Sequence, residues 1–194
     1  MTETEYLTFE NAAKDRHLYV DGEIFAMATE SPEHGDITTN LVGSLHPQIK
    51  GTPCRARFKE TRVRSGPISA SRRSARGMYS YPDVVVICGE PEYLKEDRNT
   101  VLNPNVIIEV LSPATETFDR GGKFDRYQTH NPTLTDYILV AQDRPCVEHF
   151  HRVDKETWTY RRVLGLKGKV IVKSIGVILK LADVYDRVTF KKDQ

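Results

Sequence analysis

Apolar positions along this chain fall into two kinds of run. Val84, Val85, Val86 and Ile87 form one block rich in β-branched side chains, and Val106, Ile107, Ile108, Val110 and Leu111 form another. Such side chains suit a pleated, buried surface, so both blocks read as strands. The segment from Gly89 to Pro104 is polar and contains Pro91, Asn103 and Pro104. It reads as a loop, and the two strands are expected to pair as an antiparallel hairpin. Upstream, His17 to Val20 and Glu23 to Met27 flank Asp21-Gly22, a hairpin turn signal. Ser31-Pro32 reads as N-cap and first helical position, and Ile37, Leu41, Leu45 and Ile49 follow at four-residue spacing. That spacing predicts a helix with one apolar face, ending near Lys50-Gly51. Thr8 is expected to cap a short helix over Phe9 to Lys14.

Downstream, Asp119 to His130 reads as a short helix closed by Asn131-Pro132. Tyr137 to Val140 is a further strand. Val147 to Val153 and Thr157 to Val163 form a second hairpin, packed through Phe150, Trp158 and Tyr160. Val170 to Val172 and Val177 to Leu181 are strand candidates, and Ala182 to Val188 a short terminal helix. The tail from Lys191 to Gln194 is expected to fray.

Each of the first two strands carries one acid. Asp83 opens the first and Glu109 interrupts the second. In an antiparallel pair the start of one strand lies beside the end of the other. Both carboxylates therefore fall at one end of the sheet, about 5–8 Å apart. Two ionised carboxylates that close repel by roughly 3 kcal/mol at an effective dielectric of about 20. Either one is protonated or a cation sits between them. Oxygen-only ligation suits Mg²⁺, Mn²⁺ or Ca²⁺ rather than zinc. Plainer readings stay open from these residues alone: Asp83 bonding a nearby backbone amide at a strand start, and Glu109 in a buried salt bridge with an arginine.

Lys123 and Tyr127 lie one helical turn apart and point the same way. A lysine facing both acids would offset their repulsion and orient an attacking water; an ordinary surface lysine is the competing reading. Gly121 and Gly122 permit close backbone approach at the start of that helix. Asp119, Arg120, Asp125 and Arg126 read as its solvated face. Glu23, beside the first turn, and His34, in a first helical turn, are supporting candidates. His34 suits a phosphate contact or a capping arrangement equally. His149 and His151 alternate onto one strand face; with no third ligand nearby in sequence they read as sheet-surface residues.

Composition narrows the class. The 194 residues suit one domain, 39% hydrophobic and 28% charged, as in a soluble globular protein. No apolar stretch approaches a membrane span, and the acidic start MTETEYLTFE is not a secretory signal. Cys54, Cys88 and Cys146 are odd in number and scattered, which fits a reducing cytoplasm and no zinc cluster. The chain's charge of +1 is uneven: the segment from Arg55 to Arg76 carries +7, leaving −6 elsewhere. Within it Arg55, Arg57 and Lys59 alternate, as do Arg62 and Arg64. On a strand each set lines one face, a basic stripe suited to a phosphate backbone or, more simply, to a solvated sheet edge. The segment from Ser65 to Ser80, with five serines and three arginines, reads as a mobile loop able to close over a substrate.

The segments DGEIFAMATESPEH, YSYPDVVVIC, VIIEVLSPATE, DRGGKFDRYQ and TDYILV, in that order between Leu18 and Val153, resemble the Uma-two family. Those proteins are assigned as nucleases of the PD-(D/E)XK restriction-endonuclease-like superfamily. The resemblance implies an α/β (α+β) fold, a restriction-endonuclease-like mixed β-sheet flanked by helices with extra β-hairpins, in one domain over residues 1–194. It also implies Mg²⁺- or Mn²⁺-dependent hydrolysis of phosphodiester bonds in DNA. Asp83 and Glu109 match the family's metal-binding acids. The superfamily's usual lysine position, two residues after the second acid, is Leu111 here; the family's lysine matches Lys123 in the following helix. Arg55, Arg57, Lys59, Arg62 and Arg64 are then expected on the nucleic-acid backbone, and a homodimer is expected by analogy with enzymes that cut both strands. The alternative is a nucleic-acid-binding or interaction module without catalysis.

Overall fold

A computed structural model describes residues 1–67, 76–95 and 97–190. The chain opens with α1 (Glu3–Ala12), then the hairpin β1 (His17–Val20) and β2 (Glu23–Ala26), and the long α2 (Pro32–Ile49). Next come β3 (Cys54–Phe58), β4 (Arg62–Ser65), β5 (Met78–Ser80), β6 (Val84–Cys88), β7 (Tyr93–Leu94), β8 (Asp97–Val101) and β9 (Val106–Leu111). Two helices, α3 (Glu116–Arg120) and α4 (Gly122–His130), lead to β10 (Asp136–Ala141), β11 (Cys146–Arg152) and β12 (Trp158–Leu164). The hairpin β13 (Lys169–Val172) and β14 (Val177–Lys180) and the single turn α5 (Leu181–Val184) complete the described chain.

Two six-stranded mixed sheets organise the molecule. One runs β2-β1-β5-β4-β8-β7, the other β12-β11-β10-β9-β6-β3. β6 and β9 are antiparallel, with Val84 opposite Ile108 and Val86 opposite Val106. β9 and β10 are parallel, and α3 and α4 make the crossover between them. Among the places where the chain passes from sheet to sheet are two short bends: Lys59-Glu60 between β3 and β4, where Lys59 takes φ 59°, and Tyr81-Pro82-Asp83 between β5 and β6.

Alternation along β6, β9 and β10 sorts side chains between two cores. Val84, Val86, Val106, Ile108, Val110, Ile138 and Val140 pack with Ile37, Leu41, Leu45 and Ile49 of α2 and with the β13–β14 hairpin. Val85, Ile87, Ile107, Leu111, Tyr137 and Leu139 face the other way, against Val63, Met78 and Tyr127. The apolar face expected on α2 is thus the one buried. Ser31 caps α2 by accepting the His34 backbone N–H at 3.2 Å. The Asp21-Gly22 turn has positive φ at both residues, 47° and 99°, as the β1–β2 connection requires.

Five expectations are corrected. The first helix starts at Glu3, because Thr2 and Glu5 form a reciprocal capping box; the Thr8 hydroxyl instead donates to the Thr4 carbonyl at 2.9 Å. The segment between β6 and β9 is not all loop. Its interior forms β7 and β8 on the other sheet, with Leu94 and Val101 buried, while the Asn and Pro residues mark its ends. The helix expected over residues 119–130 is broken at Gly121 (φ −115°, ψ −101°), and the terminal helix is the shorter α5. Cys54 and Cys88 are joined by a disulfide, since antiparallel β3 and β6 set them opposite each other; Cys146 is buried and free. The expected closing loop falls largely on residues 68–75, which with the tail 191–194 lie outside the described residues. No described helix is long and apolar enough to cross a membrane.

Candidate active site

Continuing the β6–β9 register one step beyond Val84–Ile108 sets Asp83, at the entry to β6, opposite Glu109, which lies inside β9. Asp83 lies just before β6. Its Oδ2 accepts the backbone N–H of Val110 at 2.7 Å, which ties it to the strand bearing Glu109. Glu109 sits mid-strand between Ile107 and Leu111, on the sheet face that packs against α4.

Lys123, in the first turn of α4, brings its amine to 3.1 Å from Glu109 Oε1 and 2.6 Å from Asp119 Oδ1. The approach to Glu109 is close but lies off a hydrogen-bonding line, and Glu109 Oε1 is buried with no hydrogen-bond partner. Burial pushes the Glu109 carboxyl up to about 8. The Lys123 charge opposes that rise, while Asp119 and Asp83 add to it. For Lys123, burial alone would favour the neutral amine, but Glu109 and Asp119 outweigh it and hold the amine charged. Asp119 was expected on a solvated face and is instead 2% exposed. Its spacing to Lys123 puts both on one helix face; the α3–α4 break turns that face into the protein.

His34 enters from the other side. Its Nε2 lies 3.2 Å from Asp83 Oδ2 and its Nδ1 3.7 Å from Glu30 Oε2. Burial lowers its pKa, but Asp83 and Glu30 more than reverse this and raise it. Glu30 in turn pairs with Lys59 at 2.9 Å. Donor atoms of Glu30, His34 and Asp83 all lie within 4.8 Å of one another; Glu109 belongs to no such three-residue grouping among the described residues. Side-chain exposure is 4% at Glu109, 15% at Asp83 and 9% at His34, and reaches 23% at Glu30 and 41% at Lys59. A cleft of about 480 Å³ begins at the outer end of this chain of contacts, lined by Glu30 and Lys59 with Arg16 and Tyr81 among others; Asp83, His34, Glu109 and Lys123 do not line it.

The residues fit a hard divalent ion. Both of these Asp83 contacts use Oδ2, leaving Oδ1 outside them, and buried Glu109 Oε1 has no hydrogen-bond partner. Carboxylate oxygens suit Mg²⁺ or Mn²⁺, and His34 pairs with Asp83 at its Oδ2. Glu30 was missed by sequence reasoning; its only signal was a four-residue spacing to His34, which crosses a helix start.

The other expected residues divide. Tyr127 is fully buried against Ser80, hydroxyl to hydroxyl at 2.6 Å, one turn from Lys123. Glu23 is exposed on edge strand β2, and no metal-capable grouping among the described residues includes it. The basic stripe is not one surface. β3 and β4 belong to different sheets, and Arg62 and Arg64 turn inward: Arg62 is 2% exposed and 3.0 Å from Asp97, and Arg64 binds Glu3 at 2.9 Å. Arg57 stacks on Tyr93, its guanidinium 5.3 Å from the ring centre. Arg55, on the outer strand β3, is exposed. His149 and His151, read as lacking a third ligand, both face Asp136.

Comparison with known proteins gives a family and a fold. The pattern of the Uma2 family, described as "Putative restriction endonuclease", matches residues 4–181. An uncharacterized protein of Synechocystis sp. (strain ATCC 27184 / PCC 6803 / Kazusa) is 30% identical over 186 residues, covering 96% of this chain and 92% of that one. A second from the same organism is 32% identical over 170 residues, covering 88% and 91%. In fold, the chain is similar to the crystal structure of "a putative nuclease belonging to DUF820" from Anabaena variabilis ATCC 29413. That likeness has a TM-score of 0.76 at 17% identity, over 97% of this chain and 99% of the other. The mixed sheets flanked by helices are therefore a nuclease-like fold, and by sequence this chain belongs to the Uma2 family.

Proposed function

We propose that this protein is a metal-dependent endonuclease hydrolysing phosphodiester bonds of DNA, with Asp83 and Glu109 as ligands of Mg²⁺ or Mn²⁺ and Lys123 assisting. The observation that supports the reading is the buried ion pair between Lys123 of α4 and Glu109 of β9, beside Asp83, which accepts the backbone N–H of the residue after Glu109. Bound there, the ion supplies Lewis acidity toward a phosphodiester and toward water. Asp83 and Glu109 hold it; Lys123 keeps a fixed positive charge beside them and opposes the charge that develops on phosphate. His34 and Glu30 steady Asp83 from the cleft side. A nucleic-acid backbone enters from the cleft, where Lys59 is the most exposed of the linked groups, and Arg55 and Arg57 extend the contact along β3. Arg62 and Arg64 serve this surface indirectly, by fixing β4 and α1. Cutting both strands of a duplex needs two such sites, hence a homodimer. The setting is cytoplasmic, and in its reducing milieu Cys54 and Cys88 would face each other as two thiols in place of the disulfide.

A second reading draws on the depth of the cluster: Glu109 and Lys123 side chains are only 4% and 10% exposed. On that reading the acids and the lysine are structural and the domain binds nucleic acid or a partner without catalysis. Plasmid nicking with added Mg²⁺ or Mn²⁺ separates the two. Wild-type protein is expected to convert supercoiled DNA to nicked and linear forms, and Asp83→Ala and Glu109→Ala to lose this. Cleavage surviving both substitutions refutes the assignment. Absence of cleavage together with absence of divalent-ion binding favours the structural reading.

A further inference from the structure

We propose a second metal site, for a first-row divalent transition ion such as Zn²⁺, built from Asp136, His149 and His151. It does not depend on the nuclease reading. Asp136 opens β10, and antiparallel β11 places His151 directly opposite it and His149 on the diagonal. His149 Nε2 lies 2.7 Å and His151 Nδ1 2.9 Å from the same Asp136 oxygen, Oδ1. Ser174, in the turn between β13 and β14, donates its hydroxyl to the other oxygen, Oδ2. Three ligand-bearing residues from two strands thus converge, and a fourth residue orients the carboxylate from outside, the arrangement typical of protein-held metals.

The site is separate from the nuclease cluster. Asp136 shares a sheet face with Ile138 and Val140, which pack against α2, whereas Glu109 is flanked by Ile107 and Leu111 on the opposite face. Asp136 also pairs with Val106, at the start of β9, three positions before Glu109.

The donor set selects the ion. Two imidazoles and one carboxylate suit Zn²⁺ and its neighbours, whereas Mg²⁺ prefers an all-oxygen shell. Tetrahedral ligation with bonds of about 2.0–2.1 Å sets donor atoms about 3.3 Å apart, so the present contacts need to open by only about half an ångström. The His151 side chain is 38% exposed and gives an ion its route in, while Asp136 is fully buried. An ion here would tie β10 and β11 to the β13–β14 hairpin through Ser174 and act as a structural clip.

The test is titration of Zn²⁺ and, separately, Co²⁺ into chelator-stripped full-length protein. The expected result is one ion per chain at this site beyond any held at the Asp83 cluster, a Co²⁺ absorption spectrum of low coordination number, and a melting temperature raised by several degrees at saturation. Mg²⁺ at the same concentration should not reproduce it. His151→Ala should weaken binding at least tenfold, and Asp83→Ala should leave it unchanged. Ring ¹⁵N shifts of wild-type protein report which imidazoles take the metal, so the test remains decisive even if a variant fails to fold. Absence of saturable Zn²⁺ binding, binding unchanged in His151→Ala, or binding lost in Asp83→Ala each overturns the proposal, leaving Asp136, His149, His151 and Ser174 as a hydrogen-bonded clamp without an ion.

Discussion

Asp83 accepts the backbone N–H of Val110 at 2.7 Å, so one proposed metal ligand is anchored to the residue that follows the other. A carboxylate at a strand start commonly bonds an amide of its own turn; here it bonds across the sheet. That contact and the proposed ligation make different demands on the side chain and can be separated by substitution.

Asp83→Asn keeps a carbonyl oxygen to accept from Val110 but loses the charge. Its stability is expected to stay within about 1 kcal/mol of wild type, while Mg²⁺-dependent cleavage falls at least about a hundredfold, as expected when several kcal/mol of charge stabilisation is removed. Asp83→Ala should lose cleavage and also about 1–3 kcal/mol of stability, because a strand N–H is left unpaired. Urea denaturation beside plasmid nicking checks both. Equal stability of the two variants would show the hydrogen bond to be incidental.

Lys123 is the sole cation within ion-pair distance of Glu109 and Asp119 among the described residues. Replacing it by methionine preserves volume and leaves two buried acids without compensation. The expected cost is about 3–5 kcal/mol in metal-free buffer. A divalent ion at Asp83 and Glu109 should recover part of that loss, so the melting temperature of Lys123→Met should depend more steeply on Mg²⁺ than that of wild type.

The pH dependence of stability follows from Glu109. Its folded-state pKa is raised from an ordinary 4.5 to about 8 by burial. The folded state therefore binds the proton more tightly than the unfolded chain. The associated stability is fully present below about 4.5 and is lost as pH rises through about 8. Without metal, this group should lower unfolding free energy by at most about 1.4 kcal/mol per pH unit across that window. Glu109→Gln should flatten the slope. Chemical denaturation of both proteins from pH 5 to about 8 tests this; identical slopes would place the pH dependence elsewhere.

Two arginines that alternate alike in the sequence should behave oppositely. Arg62→Ala breaks a buried pair with Asp97 and is expected to cost about 3–5 kcal/mol. Arg55→Ala, at an exposed position of an outer strand, should change stability by no more than about 0.5 kcal/mol. It should instead weaken DNA binding and reduce the dependence of log affinity on log salt by about one. Binding isotherms at several salt concentrations decide the second point.

Local pattern alone located most elements, because period and turn chemistry act over a few residues. The β-branched blocks around Val85 and Ile107, the Asp21-Gly22 turn, and the Ser31-Pro32 start of α2 all lie where side-chain sterics and capping require. It also predicted the antiparallel pairing of the two blocks, whose register continued one step sets Asp83 opposite Glu109. Partnerships across long sequence separations were decided only by the tertiary structure. Asp119 became buried because α3 and α4 break at Gly121, Arg62 met Asp97 because β4 and β8 are neighbours, and Cys54 met Cys88 across β3 and β6. Asp136 joined His149 and His151 in the same way, through strand register. Burial and charge pairing depend on which surfaces are brought together in space. A residue's own neighbourhood in the chain carries no record of them.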